Sequence, residues 1–347
     1  MRYTKVHWLL DGVVAQTHPH DWGELLDLSN SLISLIGNKE LQHIVVDPIG
    51  GFQRLSRRLI DLPVSTIIDI SHWFGLGLRP LFPNAEIVTD FSISRIMDVS
   101  AIETKTAGFV ISTAPDEVKK RAQGLDLSKV LIIDDATVSG RTNTVVMDIW
   151  GLNPRLVTHA SLIANVGDYP KVDGKQKKRG ARVYLEGMGG KVLYGDSMIS
   201  PQEEAEHMQD IFQYPQLERF FSRTLDLQLG SDQLVNFFPD QFSESNLARL
   251  ADEGRFVRNP EHTATENSLY IRNPSLWTYK DFGGYLDIDS LQKRGEEVLF
   301  ILDRFKVLTR DPSNIAETRQ ELVRVNRNLL ENITTEGNLS LRERLAS

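Results

Sequence analysis

The sequence predicts an α/β fold in which helices cover both faces of a parallel β-sheet, and two observations carry this prediction. The first half of the chain repeats one pattern, a short apolar run that ends in a polar residue and is followed by a helix-like segment. The runs are rich in β-branched residues and almost continuously apolar, as strands buried on both faces are. The predicted strands are His43–Asp47, Thr66–Ile70, Glu86–Asp90, Gly108–Thr113, Lys129–Asp135 and Leu156–Ala164.

Helical segments are predicted between these strands, and one more helix precedes the sheet. In that first segment leucines recur at steps of three and four residues, and Gly37 stands where a C-cap belongs. This helix would cover one face of the sheet or form part of a lid. The leucines are Leu25, Leu28, Leu32 and Leu35, and the later helices are Phe52–Leu62, Pro115–Gln123 and Asn143–Trp150.

The character of the sequence changes from about residue 201. Apolar residues recur there at helical spacing, first at Met208, Ile211 and Phe212, and no run resembles a buried parallel strand. We therefore expect two regions. They are an α/β domain over residues 1–200, with its core at about 40–165, and a mostly helical accessory region over 201–347.

The amino-acid composition excludes or disfavours several classes of protein function. The 39 Lys and Arg residues against 47 Asp and Glu give a net charge of −8, which disfavours a protein that coats duplex nucleic acid. The chain has no cysteine, which excludes disulfides, thiolate catalysis and cysteine-ligated zinc. No apolar run approaches the ~18 residues of a membrane span. We expect a cytoplasmic protein without a membrane partner.

The segment Val130–Thr142, VLIIDDATVSGRT, carries the strongest chemical signal. A buried strand runs into Asp134 and Asp135, and a loop of small and hydroxylated residues leads to the next helix. Ligands bind at the carboxyl ends of strands in open α/β sheets, and small residues before a helix N-terminus favour a phosphate. Two adjacent acids suit vicinal sugar hydroxyls, so the expected ligand is a phosphorylated sugar. The loop residues are Ala136, Thr137, Val138, Ser139, Gly140, Arg141 and Thr142.

At these thirteen positions the chain resembles the type I phosphoribosyltransferases, whose signature binds 5-phosphoribosyl 1-diphosphate (PRPP). The resemblance implies a Rossmann-like parallel sheet of the type I phosphoribosyltransferase kind. It also implies that Asp134 and Asp135 hold the ribose 2′ and 3′ hydroxyls, while Ala136–Thr142 cradles the 5′-phosphate. The family often has a second small residue where this chain has Arg141, which would face solvent or add a cation near the phosphate. The alternative for the motif is an ordinary β–α connection with the second acid as helix cap.

A second candidate loop follows the predicted strand that ends at Asp47. The resemblance implies a diphosphate loop here, because in the family such a loop follows an early core strand. Glycines allow close backbone approach, Arg54 follows one helical step later, and Asp47 would meet Mg²⁺ through water. The alternative, equally weighted, is a plain turn capped by Asp47. The loop residues are Asp47, Pro48, Ile49, Gly50 and Gly51.

A basic group, Lys119, Lys120 and Arg121, precedes the signature strand. In several members of the family a mobile loop at this place brings cations over the diphosphate, which makes these residues catalytic candidates. A solvated helix is the favoured alternative, because Pro115 and two following acids suit a helix start and the cations suit its last turn.

The resemblance implies an enzyme that transfers the phosphoribosyl group to a nucleobase or related small acceptor, with Mg²⁺-assisted loss of diphosphate. A non-catalytic PRPP- or nucleotide-binding regulator and an enzyme running the chemistry in reverse remain open. The expected partners are PRPP and the acceptor, nucleic acid is not favoured, and a homodimer is left open. The sequence identifies neither the acceptor nor the segment that forms the hood, the part of the fold covering the strand ends.

Overall fold

The computed structural model describes most of the chain in separate ranges. These are residues 3–9, 17–71, 73–98, 105–137, 139–167, 171–172, 175–176, 180–197, 208–213, 241–265, 268, 270–272, 287, 290, 293–308 and 314–346. The strands are β1 (Tyr3–Leu9), β2 (Gln42–Val46), β3 (Thr66–Asp69), β4 (Glu86–Val88), β5 (Ile93–Asp98), β6 (Lys105–Ile111), β7 (Val130–Thr137), β8 (Val157–Ala164), β9 (Lys171–Val172), β10 (Lys175–Gln176), β11 (Lys191–Ser197), β12 (Met208–Gln213), β13 (Gln241–Phe242), β14 (Phe256–Arg258) and β15 (Tyr270–Arg272). The helices are α1 (Trp22–Ile36), α2 (Pro48–Leu59), α3 (Pro115–Ala122), α4 (Arg141–Trp150), α5 (Ala181–Gly187), α6 (Glu244–Asp252), α7 (Gly295–Leu308) and α8 (Asn314–Ala346).

The centre of the fold is a five-stranded parallel sheet in the order β11-β8-β7-β3-β4, which confirms the predicted α/β architecture. From β3 the chain moves outward to β4 and later returns to β7 on the other side of β3. This reversal is a topological switch point, and open α/β sheets bind ligands in the crevice that it creates at the carboxyl ends of the strands. The crevice lies between the ends of β3 and β7.

Side chains that alternate along β7 belong to two hydrophobic cores. Leu131 and Ile133 pack in the core that contains Phe52 of α2. Val130 and Ile132 pack in the core that contains Val146 of α4. The period of two follows from the pleat of a strand, and it places apolar layers on both faces of the sheet.

The predicted strand Gly108–Thr113 is wrong in its position and in its sheet. The structure has β6 (Lys105–Ile111) in an antiparallel sheet of order β13-β15-β5-β6-β14. A side chain on Gly108 would collide with Phe256 and with the carbonyl of Val257, so this glycine lets β14 approach β6 closely. The neighbouring strand β5 had no predicted counterpart.

A third, three-stranded parallel sheet has the order β12-β1-β2. The strand predicted at His43–Asp47 exists as β2, but it pairs with β1 and not with the central sheet. The helical face predicted at Met208, Ile211 and Phe212 is wrong, because β12 is a strand that pairs with β1 in parallel. Short apolar runs do not distinguish a strand from a helix by periodicity alone, and here the pairing with β1 decides.

The C-terminal helices pack against the first half of the chain. Val298 and Phe305 of α7 and Leu322 of α8 are buried in the core that includes α1 and α2. Arg304 of α7 forms an ion pair with Glu24 of α1. Residues 201–347 thus contribute the helices α6, α7 and α8, together with strands that complete two of the sheets. No helix among the described residues is both long and apolar enough to cross a membrane.

Candidate functional site

The predicted phosphate loop is shorter in the structure than the sequence suggested. Backbone pairing between β7 and β8 continues to Thr137, opposite Ala164, so Ala136 and Thr137 are strand residues. Helix α4 begins at Arg141 and includes Thr142. The connection is thus reduced to residues 138–140, of which Val138 lies outside the described residues. The strand–acids–helix order of the motif is nevertheless retained at the switch point.

The two acids are held by the backbone that follows them. Asp135 N donates to Asp134 Oδ1 at 2.9 Å, and Ala136 N donates to Asp135 Oδ1 at 2.6 Å. Successive residues of a strand point to opposite faces, so the two carboxyl groups flank the end of β7. Both residues are partly buried.

The electrostatics of the site strongly affect Asp134. Burial raises the pKa of Asp134 well above its usual range, and the negative charges of Asp135 and Asp69 raise it further. The charges of Asp69 and Asp135 therefore both act on Asp134 at the ends of β3 and β7. A bound cation, or hydroxyl groups that donate to the carboxylates, would favour the ionised form of Asp134.

Asp69, the last residue of β3, organises the loop on the other side of the switch point. Its Oδ2 accepts from Gly75 N at 2.8 Å, and its Oδ1 accepts from Ser71 N at 3.1 Å and from Ser71 Oγ at 2.6 Å. Ile70 N donates to Ile133 O at 3.0 Å, which joins the start of this loop to β7 beside Asp134. The loop after β3 therefore starts beside the acids and is held by Asp69. Asp69, the polar residue within the run TIIDI, was the sequence signal for this loop.

The predicted diphosphate loop, Asp47–Gly51, is the start of a helix. Asp47 caps α2, because its Oδ1 accepts from Ile49 N at 3.0 Å, and Pro48 occupies the first turn. Gly50 and Gly51 also belong to this turn, as the capped-turn alternative described. Helix α2 packs over β8 and β11, and a side chain on Gly195 would collide with the carbonyl of Gly51. This segment thus lies at the β8–β11 side of the sheet, where Gly195 of β11 allows its backbone to approach closely.

The cation next to this segment, Arg54, forms an ion pair with Asp196 at the end of β11. The strand before Asp47 belongs to the β12-β1-β2 sheet, whereas the strand at the switch point is β3. Within the described part of the chain, no group of three or more His, Asp or Glu residues has a metal-binding arrangement. A role for Asp47 toward Mg²⁺ stays a prediction.

The N-terminus of α4 has the features of an anion site. Gly140, the N-cap residue, adopts φ +72° and has no side chain to cap the helix. The Ser139 hydroxyl lies 3.5 Å from Arg141 N, at the limit of a hydrogen bond. A side chain on Gly140 would come within 2.9 Å of Leu185 Cγ. The first-turn amides are therefore available to a negatively charged group.

Arg95 of β5 is a site residue that the sequence reasoning missed. Its Nη2 donates to Thr142 Oγ1 in the first turn of α4 at 3.3 Å. Burial lowers the pKa of Arg95, the positive charge of Arg141 lowers it further, and the negative charge of Asp134 opposes both effects. No local motif marks this arginine, because only the packing of the antiparallel sheet against α4 brings it to the site.

Three buried polar atoms without a partner lie on the strands that border the same region, β5, β7 and β8. Thr137 Oγ1, Ser161 Oγ and Arg95 Nε have no hydrogen-bond partner among the described residues. Ser161 lies opposite Asp134 in the β7–β8 ladder. Such atoms are rare in folded proteins and call for a ligand or an ordered water.

The basic group before β7 lies in a helix, α3, as the favoured alternative described. Lys119 forms an ion pair with Asp116 at 3.7 Å, and Arg121 forms one with Asp90. Lys120 is exposed and forms no ion pair with a described residue.

No protein-family model and no curated protein matches this sequence. The motif in β7 and α4 and the geometry around it therefore carry the functional argument.

Proposed function

We propose that the protein binds PRPP and transfers its phosphoribosyl group to a nucleobase or a related small acceptor. One observation carries the proposal. Two adjacent acids lie in the last part of β7, and a helix N-terminus without a side-chain cap follows that strand, at the switch point of a parallel sheet. This combination suits a ligand with vicinal hydroxyls at one end and a phosphate at the other.

In the proposed complex, Asp134 and Asp135 accept hydrogen bonds from the ribose 2′ and 3′ hydroxyls. The segment Ala136–Thr142 and the amides of α4 receive the 5′-phosphate. The raised pKa of Asp134 supports this arrangement, because hydroxyl donors on the ligand compensate the burial of its charge.

We propose that the loop after β3 binds the diphosphate, in place of the segment Asp47–Gly51 that the family resemblance implies. The supporting observation is that Ile70 hydrogen-bonds to β7 beside the acids, while α2 packs over β8 and β11. In the reaction, the bond between C1′ and the diphosphate oxygen breaks as the acceptor nitrogen approaches C1′. Diphosphate leaves with the bonding electron pair, and positive character develops on the sugar ring near the two acids.

Mg²⁺ fits the charges of this crevice. It usually binds one or two carboxylates together with substrate phosphates and water, and Asp134 and Asp135 are adjacent residues of β7 at the switch point. The ion would neutralise charge on the departing diphosphate. The chain's own part is to fix the ring and the 5′-phosphate so that C1′ faces the acceptor.

Titration calorimetry with PRPP and Mg²⁺ tests the donor site. Asp134→Asn and Asp135→Asn should each weaken binding on the order of 10–150-fold, because each removes a charged hydrogen bond. Asp148→Asn on the exposed face of α4 is the matched control and should bind PRPP as the wild type does. Unchanged affinity in both acid variants contradicts the assignment.

A non-catalytic PRPP-binding regulator is the second candidate. The observation that favours it is the pairing of Lys119 with Asp116 and of Arg121 with Asp90, which engages two cations that the family resemblance placed over the diphosphate. Incubation with PRPP, Mg²⁺ and pooled purine, pyrimidine and pyridine bases separates the two. Diphosphate release above the protein-free rate supports the transferase, whereas tight PRPP binding without release supports the regulator.

A further inference from the structure

Arg95 joins the antiparallel sheet to the start of α4. It lies on β5, and its guanidinium reaches the first turn of α4, where Nη2 donates to Thr142 Oγ1 at 3.3 Å. The guanidinium carbon also lies 6.0 Å from the centre of the Phe109 ring, on the neighbouring strand β6. The arginine is thus held from its own sheet and directed toward the proposed phosphate site.

Arg95 has hydrogen-bonding capacity that the described structure leaves unused. Its Nε is buried and has no hydrogen-bond partner among the described residues, and the only described carboxylate whose charge acts on it noticeably is that of Asp134. Burying a donor of a cation without a partner is unfavourable. An anion bound beside Arg95 would offset both the burial and the repulsion from Arg141 that lower its pKa.

The hydrogen-bonding groups around this position are donors. Because Arg95 donates to the Thr142 oxygen, the Thr142 hydroxyl proton is left to donate elsewhere. The amides of Arg141 and Thr142 open the helix, and the left-handed Gly140 brings the backbone to that point without a side chain. A guanidinium, a hydroxyl and helix amides together match a phosphate monoester.

We infer that Arg95 binds the monoester phosphate of a sugar ligand. This contact makes the site select a phosphorylated sugar over its unphosphorylated form. The identity of the ligand as a ribose 5-phosphate group rests on the proposed function. The antiparallel sheet then has a direct part in substrate binding, because β5 supplies a cation that the central sheet lacks at this position.

Calorimetry with ribose 5-phosphate, inorganic phosphate and ribose as separate probes tests the inference on the full chain. Arg95→Met should weaken ribose 5-phosphate binding on the order of 10–150-fold, as expected for loss of a charged hydrogen bond. Arg95→Lys should fall between Arg95→Met and the wild type, since it keeps the charge and loses the planar fork. Arg249→Met removes an exposed arginine of α6 that pairs with Glu253, and it should bind as the wild type does.

If Arg95→Met does not fold, Thr142→Ala supplies the second test. It removes the hydroxyl that links Arg95 to the helix, and it should weaken both ribose 5-phosphate and inorganic phosphate. Folding of each variant is checked by its urea denaturation midpoint.

The outcomes separate this inference from the proposed function. If the acid variants weaken ribose 5-phosphate binding and folded Arg95 variants do not, the inference is overturned while the proposed function stands. If inorganic phosphate binding depends on Arg95 and the acid variants change nothing, the phosphate site stands and the proposed function falls. The inference is overturned if the wild-type protein binds neither ribose 5-phosphate nor inorganic phosphate, or if it binds ribose as tightly as ribose 5-phosphate.

Discussion

At the scale of single residues, the environment of Asp134 makes its ionisation costly in the folded protein. Its carboxyl is partly buried and lies near Asp135 and Asp69, so its pKa is well above the usual range in the folded protein. The unfolded chain lacks this environment. Folding therefore becomes less favourable as the pH rises from the unfolded pKa through the folded pKa, because the native state binds more protons over that interval.

We predict that Asp134→Asn stabilises the ligand-free protein at neutral pH and weakens PRPP binding. Asparagine keeps the oxygen that accepts from Asp135 N and carries no charge. The stability advantage over the wild type should grow with pH by up to about 1.4 kcal/mol per unit inside the interval and disappear below about pH 4. Urea denaturation from pH 3.5 to 8 measures it, with Asp148→Asn as control. A less stable Asp134→Asn at pH 7.5 contradicts the prediction.

His159 of β8 should give the opposite pH dependence. It is buried, its Nδ1 lies 3.1 Å from Asn143 Nδ2, and burial lowers its pKa to about 4. The contribution of neutral His159 to the free energy of unfolding is complete above the unfolded pKa of about 6.5, and it is lost as the pH falls toward 4. The loss over this interval is on the order of 3 kcal/mol. His159→Gln should lack this loss between pH 6.5 and 4, although a repacked core lowers its stability at pH 8.

Urea denaturation over the same pH range tests this prediction. His20→Gln is the control, because it replaces a histidine at an exposed turn. Parallel curves for His159→Gln and the wild type between pH 4 and 6.5 would show that His159 does not cause the loss.

At the scale of elements, helix α4 offers a matched comparison, since a glycine with positive φ stands at each end. Gly140 has φ +72°, and a Cβ atom added to it would lie 2.9 Å from the Leu185 side chain. Gly151 has φ +63°, and a Cβ atom added there would have no neighbour within 4 Å. Gly151→Ala should cost about 1 kcal/mol through the left-handed backbone alone. Gly140→Ala should cost more because of Leu185, and it should also weaken inorganic phosphate binding.

Urea denaturation and phosphate calorimetry on the two alanine variants measure these effects. Equal stability losses would mean that Leu185 moves aside without cost. Equal phosphate affinities would mean that the Gly140 backbone does not approach the anion.

The elements also show what sequence reasoning could reach. The strand–acids–helix unit of β7 and α4 was predictable because its signals lie within thirteen consecutive residues. The sheet to which β2 belongs could not be predicted, because β2 pairs with β1, which is distant in sequence, and the third strand of that sheet, β12, is more distant still. Arg95 could not be found for the same reason, since its role depends on how β5 packs against α4. The loop after β3 carried a sequence signal in Asp69, but the two glycines after β2 were a stronger signal, although they belong to the capped first turn of α2.

At the scale of the whole molecule, the two halves of the chain share sheets and a core. Strand β12 pairs with β1, and β14 and β15 pair with β6 and β5. Helix α8 reaches back to the turn after β3, where Asn326 Nδ2 donates to Gly77 O at 2.7 Å. The division at residue 200 stays a prediction, and these contacts favour one cooperative unit.

Leu322 of α8 provides the test of that cooperativity. Its side chain is 0% exposed, and a side chain on Gly77 would collide with it, so the helix and the turn after β3 are in close contact. Leu322→Ala should destabilise the protein by about 2–5 kcal/mol, because it removes buried methyl groups and leaves a cavity. Ile333→Ala on the same helix, at a side chain that is 43% exposed, should cost much less.

Denaturation followed by tryptophan fluorescence and by far-ultraviolet circular dichroism distinguishes the two architectures. In one cooperative unit, both signals of Leu322→Ala shift together to a lower urea midpoint, and PRPP, the proposed ligand, should raise that midpoint because ligand binding stabilises the native state. In an independent helical region, the variant should instead show an early loss of helix signal, while the transition of the α/β part keeps its wild-type midpoint. The close contact of Leu322 with Gly77, only eight positions after Asp69 at the switch point, leads us to expect the first result.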